Sequence, residues 1–389
     1  MSDLIQQVVP FHSADVGEEE AQAAAEVIRS GWLTMGQKTI DFEQMFASYV
    51  GARHAVGVSS CTAGLHLALD AIGLKEGDEV LVPTTTFTSS AEVVCYFKAR
   101  PVLVDVEADS LCIDPVDAER RITANTRAII PVHFAGQPCK LDAIRDLASR
   151  YGLRVIEDAA HSLPASYHGA RIGAISELTA FSFYATKTLT TGEGGMVTTD
   201  NEDLAKRMRM MRLHGIGRDA WKRYSAAGSW FYEVLDCGFK YNLTDIQSAI
   251  GIVQLRKCDQ MREARARIAQ RYSAAFDPEE ALQVPTVNEG CESSWHLYVL
   301  RLNLEQLSIT RSEMIEKLKA QGIGTSVHFI PLHMHPYYRD AYGYREEDLP
   351  VASQQYQRYI SLPIFPGMTE SQVDYVIDNV LKDVGSARR

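Results

Sequence analysis

Short apolar segments recur along the first two hundred residues of the chain, and stretches of helical character such as residues 63–72 and 141–151 separate most of them. Apolar runs of this length are typical of strands that are buried on both faces. Strands that alternate with helices predict an open, mainly parallel sheet covered on both sides. The predicted strands are residues 55–58, 80–82, 102–104, 128–130, 153–156, 181–183 and 196–198.

The pattern changes at about residue 250, where long charged and alternating segments replace the short apolar runs. A mixture of helices with one alternating strand predicts a smaller α+β domain. Because domains commonly contain about 100–200 residues, we expect a large domain at 1–250 and a small C-terminal domain at 251–389. The predicted elements of the second part are helices at 255–276, 311–321 and 370–384 and a strand at 295–301, and a further helix is predicted at 17–30.

Composition narrows the class of protein. The chain has 46% hydrophobic and 23% charged residues and a net charge of −11, which argues against a general nucleic-acid binder. An anionic ligand would therefore need local positive charge. Met1, Ser2 and Asp3 open no signal peptide or membrane span, and the seven cysteines form no CxxC pair, so we expect a cytoplasmic protein.

Two residues at strand ends suggest a specific chemistry. Lys187 follows the predicted strand 181–183, and Asp158 follows the predicted strand 153–156, so both belong to the carboxyl edge of the sheet. Pyridoxal phosphate (PLP) needs an amine for a Schiff base and an acid beside its pyridine nitrogen. Apolar neighbours such as Phe183 favour a neutral, nucleophilic lysine. A surface lysine and an aspartate that merely caps a turn remain the alternatives.

The phosphate of PLP would need hydrogen-bond donors, and residues 58–64 offer them. Here a predicted strand passes through Ser60, Thr62 and Ala63 into a helix, whose free N–H groups favour an anion. An ordinary helix cap explains the same residues equally well. Phe87 could lie flat against the pyridine ring, or could simply belong to the core.

Seven motifs in order resemble the DegT/DnrJ/EryC1/StrS family of PLP-dependent sugar aminotransferases. The resemblance implies the aspartate aminotransferase-like fold (fold type I), an α/β fold whose large domain has a mainly parallel seven-stranded sheet. It covers nearly the whole chain. The motifs are residues 60–63, 83–87, 131–138, 157–161, 183–187, 240–245 and 327–333.

The resemblance also implies roles for individual residues. Lys187 would form the Schiff base and later carry the proton, and Asp158 would pair with the pyridine nitrogen. His161 would lie near the phenolic oxygen of PLP, and Phe87 would stack on the ring. The protonation of His161 is left open by the sequence.

The phosphate ligands implied by the resemblance come from two chains. Ser182 and the backbone at Thr62 and Ala63 would hold the phosphate within one chain. Asn242 would be contributed by the second subunit of a homodimer, so each active site would be shared and a monomer would be inactive.

The activity implied is transfer of an amino group, with L-glutamate as the expected donor and 2-oxoglutarate as its product. The amino group would pass through pyridoxamine phosphate to a keto-sugar carried on a nucleotide. Resemblance in residues 295–298, 324–329 and 361–363 favours C4 of a 4-keto-deoxy sugar over C3. His328 would contact substrate or cofactor. The alternative is a loop histidine whose hydrogen bonds are made within the protein.

Two other functions compete with this interpretation. A PLP-dependent sugar 3-dehydratase would carry histidine in place of the Schiff-base lysine, so Lys187 counts against it. A non-catalytic, PLP-binding regulatory protein is disfavoured by the negative charge and by the absence of a winged-helix segment in the sequence. His333 and His335 lack cysteine or carboxylate support, and we expect no metal site.

Overall fold

The computed structural model describes residues 8–217 and 231–389. The strands in chain order are β1 (His54–Val58), β2 (Glu79–Pro83), β3 (Arg100–Val104), β4 (Thr126–Ile129), β5 (Arg154–Asp158), β6 (Ser166–Tyr167), β7 (Ala170–Arg171), β8 (Leu178–Ser182), β9 (Gly195–Thr199), β10 (Leu282–Gln283), β11 (Cys291–Glu292), β12 (Tyr298–Leu302) and β13 (Tyr359–Leu362). The helices are α1 (Glu18–Ser30), α2 (Gln37–Val50), α3 (Cys61–Ala71), α4 (Ser89–Cys95), α5 (Pro115–Arg120), α6 (Leu141–Tyr151), α7 (Glu202–Met211), α8 (Asp245–Phe276), α9 (Arg311–Ala320), α10 (Pro336–Tyr342), α11 (Pro350–Tyr356) and α12 (Glu370–Ser386).

The main sheet has seven strands in the order β1-β9-β8-β5-β4-β2-β3. The pairs from β8 to β3 are all parallel, and β9 runs antiparallel to both of its neighbours. Strand β9 reverses because residues 183–194, which join it to β8, contain no helix that could carry the chain across the sheet. The prediction of a mainly parallel sheet is confirmed, and each of the seven predicted strands overlaps one of these strands.

Both faces of the sheet are buried, which explains why its strands are continuous apolar runs rather than alternating ones. Leu81 of β2 packs in the same cluster as Phe42 and Phe46 of α2. Its neighbours Val80 and Val82 belong to the cluster on the opposite face, which also contains residues of α3 and α7. Successive residues of one strand therefore serve two different cores.

A third core forms around the three-stranded sheet β10-β12-β13, which is covered by α9 and α12. Val9 belongs to this core and pairs in parallel with Ile323, so the N-terminal segment packs with C-terminal elements. Position 250 lies inside α8, which runs without a break from Asp245 to Phe276. The division of the chain at 250 stays a prediction.

Two element boundaries differ from the sequence prediction for identifiable reasons. Helix α8 begins ten residues before the predicted 255, because Thr244 and Gln247 form a capping box at its start. Strand β12 begins at Tyr298 rather than at Trp295, because Trp295 has a left-handed backbone with φ of 52°. Among the helices of the described residues, none is long and apolar enough to cross a membrane.

Candidate active site

A cavity of about 480 Å³ opens beside the carboxyl ends of β5 and β8. This is the edge of the sheet where open α/β folds bind their ligands. Eight of the ten residues predicted for the site line the cavity, and Ala63 and Asn242 do not. The eight are Ser60, Thr62, Phe87, Asp158, His161, Ser182, Lys187 and His328.

Asp158 ends β5, and its buried carboxylate is held by hydrogen bonds on both oxygens. Ser90 donates its hydroxyl to Oδ2 at 2.7 Å, and the N–H of Ala160 donates to Oδ1 at 3.0 Å. Because the Ser90 hydroxyl is used in this way, Thr86 donates to Ser90 at 2.8 Å. The bond from Ala160 also makes Asp158 a turn residue, which is the alternative that the sequence left open. The carboxylate nevertheless lines the cavity as well.

Lys187 lies in the turn after β8, where its backbone N–H donates to the carbonyl of Tyr184 at 2.9 Å. Its side chain is half-buried and lines the cavity, so it is not a surface lysine. Burial lowers the pKa of Lys187 to about 8, although Cys61 and Asp158 act in the opposite direction. The neutral, nucleophilic amine is therefore a minor form near neutral pH, but it is far more abundant than for an ordinary lysine.

His161 is buried beside Lys187, and its protonation can be assigned from its contacts. The backbone N–H of Ala135 donates to Nδ1 at 3.3 Å, so Nδ1 acts as an acceptor and the ring hydrogen lies on Nε2. Burial, and after it the positive charge of Lys187, holds the pKa of His161 well below its ordinary value. His161 is thus a neutral imidazole in the cavity wall.

His328 reaches the same cavity from the C-terminal part of the chain. Its Nδ1 is hydrogen-bonded to the hydroxyl of Ser361 at 2.9 Å, and its ring stacks on Phe11 at 5.5 Å. Burial and the charge of Lys187 lower the pKa of His328 to about 4. The two interpretations of His328 are compatible. It is a loop histidine whose Nδ1 already has a hydrogen-bond partner, and its side chain also lines the cavity.

The start of α3 forms one end of the cavity. Ser60 is the helix cap, and its hydroxyl accepts the N–H of Ala63 at 3.1 Å. The Ala63 amide is therefore engaged inside the helix cap, while Thr62 lines the cavity beside Ser182. The Ser182 hydroxyl accepts the N–H of Tyr184 at 3.3 Å. Thr62 and Ser182 are the hydroxyls of this region that are placed to meet an anion.

Phe87 leaves 58% of its surface exposed, and its ring meets Phe329 at 5.9 Å. The alternative that Phe87 is a core residue is therefore wrong, and the ring is free to cover a flat ligand in the cavity.

Asn242 lies beside the cavity wall rather than in it. It forms a β-bridge with Val58, and its side chain accepts a hydrogen bond from Lys240 at 2.5 Å and donates to the carbonyl of Leu243 at 3.2 Å. Its predicted role in a second subunit stays a prediction.

Several residues of the site escaped the sequence prediction, namely Ser90, which bonds Asp158 from behind the cavity lining, and ten residues of the lining itself. Ser90 directly follows residues 84–89, which are rich in hydroxyl groups. This run could have indicated Ser90, because a cluster of buried polar groups after a strand is typical of a functional site. His296 and Phe329 come from far along the chain, and their rings contact His161 at 4.4 and 5.8 Å. The other lining residues that were not predicted are Cys61, Thr86, Ser89, Val132, Ala160, Tyr184, Thr186 and Glu193.

The residues present fit PLP. A carboxylate held on both oxygens, an amine with a lowered pKa, hydroxyls at a helix start and an exposed aromatic ring share one cavity. The two nitrogens of His333 are already bonded to Thr84 and Ser353, at 2.8 and 2.9 Å. No group of three or more potential metal ligands is found in residues 8–217 and 231–389.

The fold and the cavity together define a PLP-dependent aminotransferase. The chain matches the DegT/DnrJ/EryC1/StrS aminotransferase family over residues 14–381 and belongs to that family. It is 51% identical to the uncharacterized protein MJ1066 of Methanocaldococcus jannaschii, over 97% of this chain and 98% of that protein. It is 48% identical to the spore coat polysaccharide biosynthesis protein SpsC of Bacillus subtilis, over 96% of each chain.

Solved structures agree with this assignment. The pyridoxamine phosphate form of the putative sugar aminotransferase Spr1654 from Streptococcus pneumoniae superposes with a TM-score of 0.91. The two chains are 32% identical, and the match covers 97% of this chain and 99% of that one. The cofactor is PLP, and the enzyme belongs to the class of sugar aminotransferases.

The lowered pKa of Lys187 predicts how capture of PLP depends on pH. Only the neutral amine attacks an aldehyde, so the capture rate of the apoenzyme should rise up to pH 8 and level off above it. Stopped-flow absorbance from pH 6 to 10 measures this rate. N-acetyl-lysine methylamide is the control, and its rate should keep rising towards about pH 10.4. An enzyme rate that follows the control would contradict the prediction.

The hydrogen bonds on Asp158 predict a graded loss of activity. Asp158→Asn should lower kcat by at least about 100-fold, because it removes a fixed charge at the reacting centre. Ser90→Ala should lower kcat about tenfold, because the carboxylate keeps its charge but loses one anchor. Asp203→Asn, on the exposed surface of α7, is the control for the first substitution. Steady-state kinetics that rank Ser90→Ala with wild type would show that the anchor is dispensable.

Proposed function

We propose that the enzyme transfers the amino group of L-glutamate to a keto-sugar carried on a nucleoside diphosphate, at C4 of a 4-keto-deoxy sugar rather than at C3. The observation that carries the reaction type is the placement of Lys187 and Asp158 in one cavity, with the pKa of Lys187 lowered to about 8. PLP, when bound, supplies a sink for the electrons of the substrate C–H bond.

Proton transfer, charge stabilisation and hydrogen bonding to the cofactor would fall to three residues of this chain. Lys187 would take the proton from the substrate carbon and deliver it to a carbon two bonds away, which a group that titrates near pH 8 can do in both directions. Asp158 would hold the pyridine nitrogen of PLP and favour its positively charged form. His161, neutral and with its hydrogen on Nε2, donates a hydrogen bond without adding charge.

The sugar acceptor is supported by the relatives. SpsC is named for spore coat polysaccharide biosynthesis, and Spr1654 is named a putative sugar aminotransferase. The preference for C4 rests on the resemblance of residues 295–298, 324–329 and 361–363. Sugar 3-dehydration is the second candidate from the sequence, and the presence of Lys187 in the cavity disfavours it.

A panel of 4-keto and 3-keto nucleotide sugars, each offered with L-glutamate, tests the proposal. We expect an amino-sugar from a 4-keto compound and an equal amount of 2-oxoglutarate, both measured by mass spectrometry. Lys187→Ala should abolish both products and the yellow colour of the bound cofactor while leaving the circular dichroism spectrum unchanged. Lys319→Ala, which changes an exposed lysine of α9, is the matched control.

The outcomes of this panel separate the alternatives. A deoxygenated product would favour dehydration, and an amine from a 3-keto compound alone would overturn the C4 assignment but not the class. No turnover with any acceptor, although glutamate still bleaches the yellow band, would reject the nucleotide-sugar acceptor. An unchanged band on adding glutamate would reject the amino donor.

We further propose that the active enzyme is a homodimer with shared sites, in which Asn242 of one subunit serves the cavity of the other. The charged residues lining the cavity within the described chain are Lys187, Asp158 and Glu193, so one chain contributes more negative than positive charge to it. A phosphate and a nucleoside diphosphate are both anionic, and this lining does not neutralise them. A second copy is the simplest source of the missing donors.

Subunit complementation tests the shared site. Lys187→Ala and Asn242→Ala subunits are each expected to be impaired alone. If the sites are shared, a mixed dimer has one site with both residues intact, so an equal mixture should regain about a quarter of wild-type activity after subunits exchange. Activity that never exceeds the average of the two separate variants would place Asn242 and Lys187 in the same chain.

A further inference from the structure

The N-terminal segment Val9–His12 runs between the C-terminal core and the turn that carries Lys187. Val9 accepts a hydrogen bond from Gly324 at 2.8 Å and donates one to Gly322 at 2.9 Å, which fixes the segment to the end of α9. Two residues further on, Phe11 stacks on His328 in the cavity wall. The segment is therefore fixed by backbone hydrogen bonds at Val9 before it reaches the site.

His12 makes the contact with the turn. Its Nε2–H donates to the backbone carbonyl of Ala185 at 3.2 Å, two residues before Lys187. Its ring also meets the edge of Phe365 at 6.4 Å. The turn is thus held from outside by a side chain that belongs to a different part of the chain.

The far side of the same loop has a second anchor. Gln254 of α8 accepts the N–H of Thr190 at 3.3 Å and donates to the carbonyl of Asp15 at 2.7 Å. The loop around Lys187 is therefore fixed at Ala185 by His12 and at Thr190 by Gln254. Lys187 lies between these two points, and Tyr184, which directly precedes Ala185, is exposed.

We propose that His12 is a positioning residue for Lys187, because its hydrogen bond to Ala185 sets where the backbone of the Lys187 turn lies and hence where the amine falls in the cavity. The consequence for catalysis rests on the proposed role of Lys187. A long lysine side chain has many rotamers, so an amine is placed accurately only when the backbone beneath it is fixed.

The bond does not depend on protonation of the imidazole. Burial, the charge of Arg265 and the charge of Lys187 lower the pKa of His12 to about 4, so the neutral ring is the donor throughout the working range. Any effect of His12 should therefore be independent of pH from 6 to 9, whereas a role as a proton carrier would vary with pH.

Two amide substitutions separate positioning from general packing. Gln places its NH₂ where Nε2 of histidine lies, and Asn places its NH₂ nearer to Nδ1, out of reach of Ala185. His12→Asn should lower kcat by about 10 to 100-fold at every pH from 6 to 9, and His12→Gln should recover most of the loss. His168→Asn, at an exposed histidine, is the control.

Hydrogen exchange of the holoenzyme, followed by mass spectrometry, supplies a readout that does not depend on turnover. Amides of residues 184–190 should exchange at least about tenfold faster in His12→Asn than in wild type or His12→Gln. Equal behaviour of the Asn and Gln variants, or unchanged exchange in this segment, would overturn the proposal. If Lys187→Ala proved active, the proposed function would fail while the exchange result would still decide whether His12 holds the turn.

Discussion

The parallel pairing of β5 with β8 is the constraint on which the site depends. Asp158 lies opposite Ala180, and the N–H of Ala159 donates to the carbonyl of Ala180 at 2.8 Å. This register places the end of β5 beside the turn that follows β8, so a carboxylate and an amine 29 positions apart in sequence enter one cavity. A shift of one residue would turn Asp158 to the other face of the sheet.

Burial gives the cavity a second property, which is that its imidazoles are neutral. The pKa values of His161, His296 and His328 are all lowered, mainly by burial and further by the charge of Lys187. Neutral rings can line a cavity tightly without repelling the protonated lysine, and they offer hydrogen bonds to anionic groups at no cost in buried charge. The same burial that makes Lys187 nucleophilic therefore determines the state of its neighbours.

The sequence was sufficient to predict the strands, the sheet and most of the side chains at strand ends, because burial patterns and strand-to-helix junctions are local in sequence. Ser60 lies at such a junction, and Asp158 and Lys187 lie at or just after the ends of buried strands. His296 and Phe329 could not be placed, since their positions depend on packing between segments more than a hundred residues apart. The start of β12 was missed because Trp295 adopts a backbone conformation that no pattern of apolar residues reveals.

The lining residues fall into two groups along the chain, one for binding the cofactor and one for distinguishing substrates. Among the lining residues, those that the proposed function assigns to the cofactor, such as Thr62, Asp158 and Lys187, precede β9. By contrast, His296, His328 and Phe329 reach the same cavity from beyond residue 290. The cofactor is common to the family, so its ligands are constrained by chemistry that does not vary. On the proposed function, discrimination between keto-sugars then depends on the C-terminal residues, whose placement relative to Lys187 is fixed through Phe11 and His12.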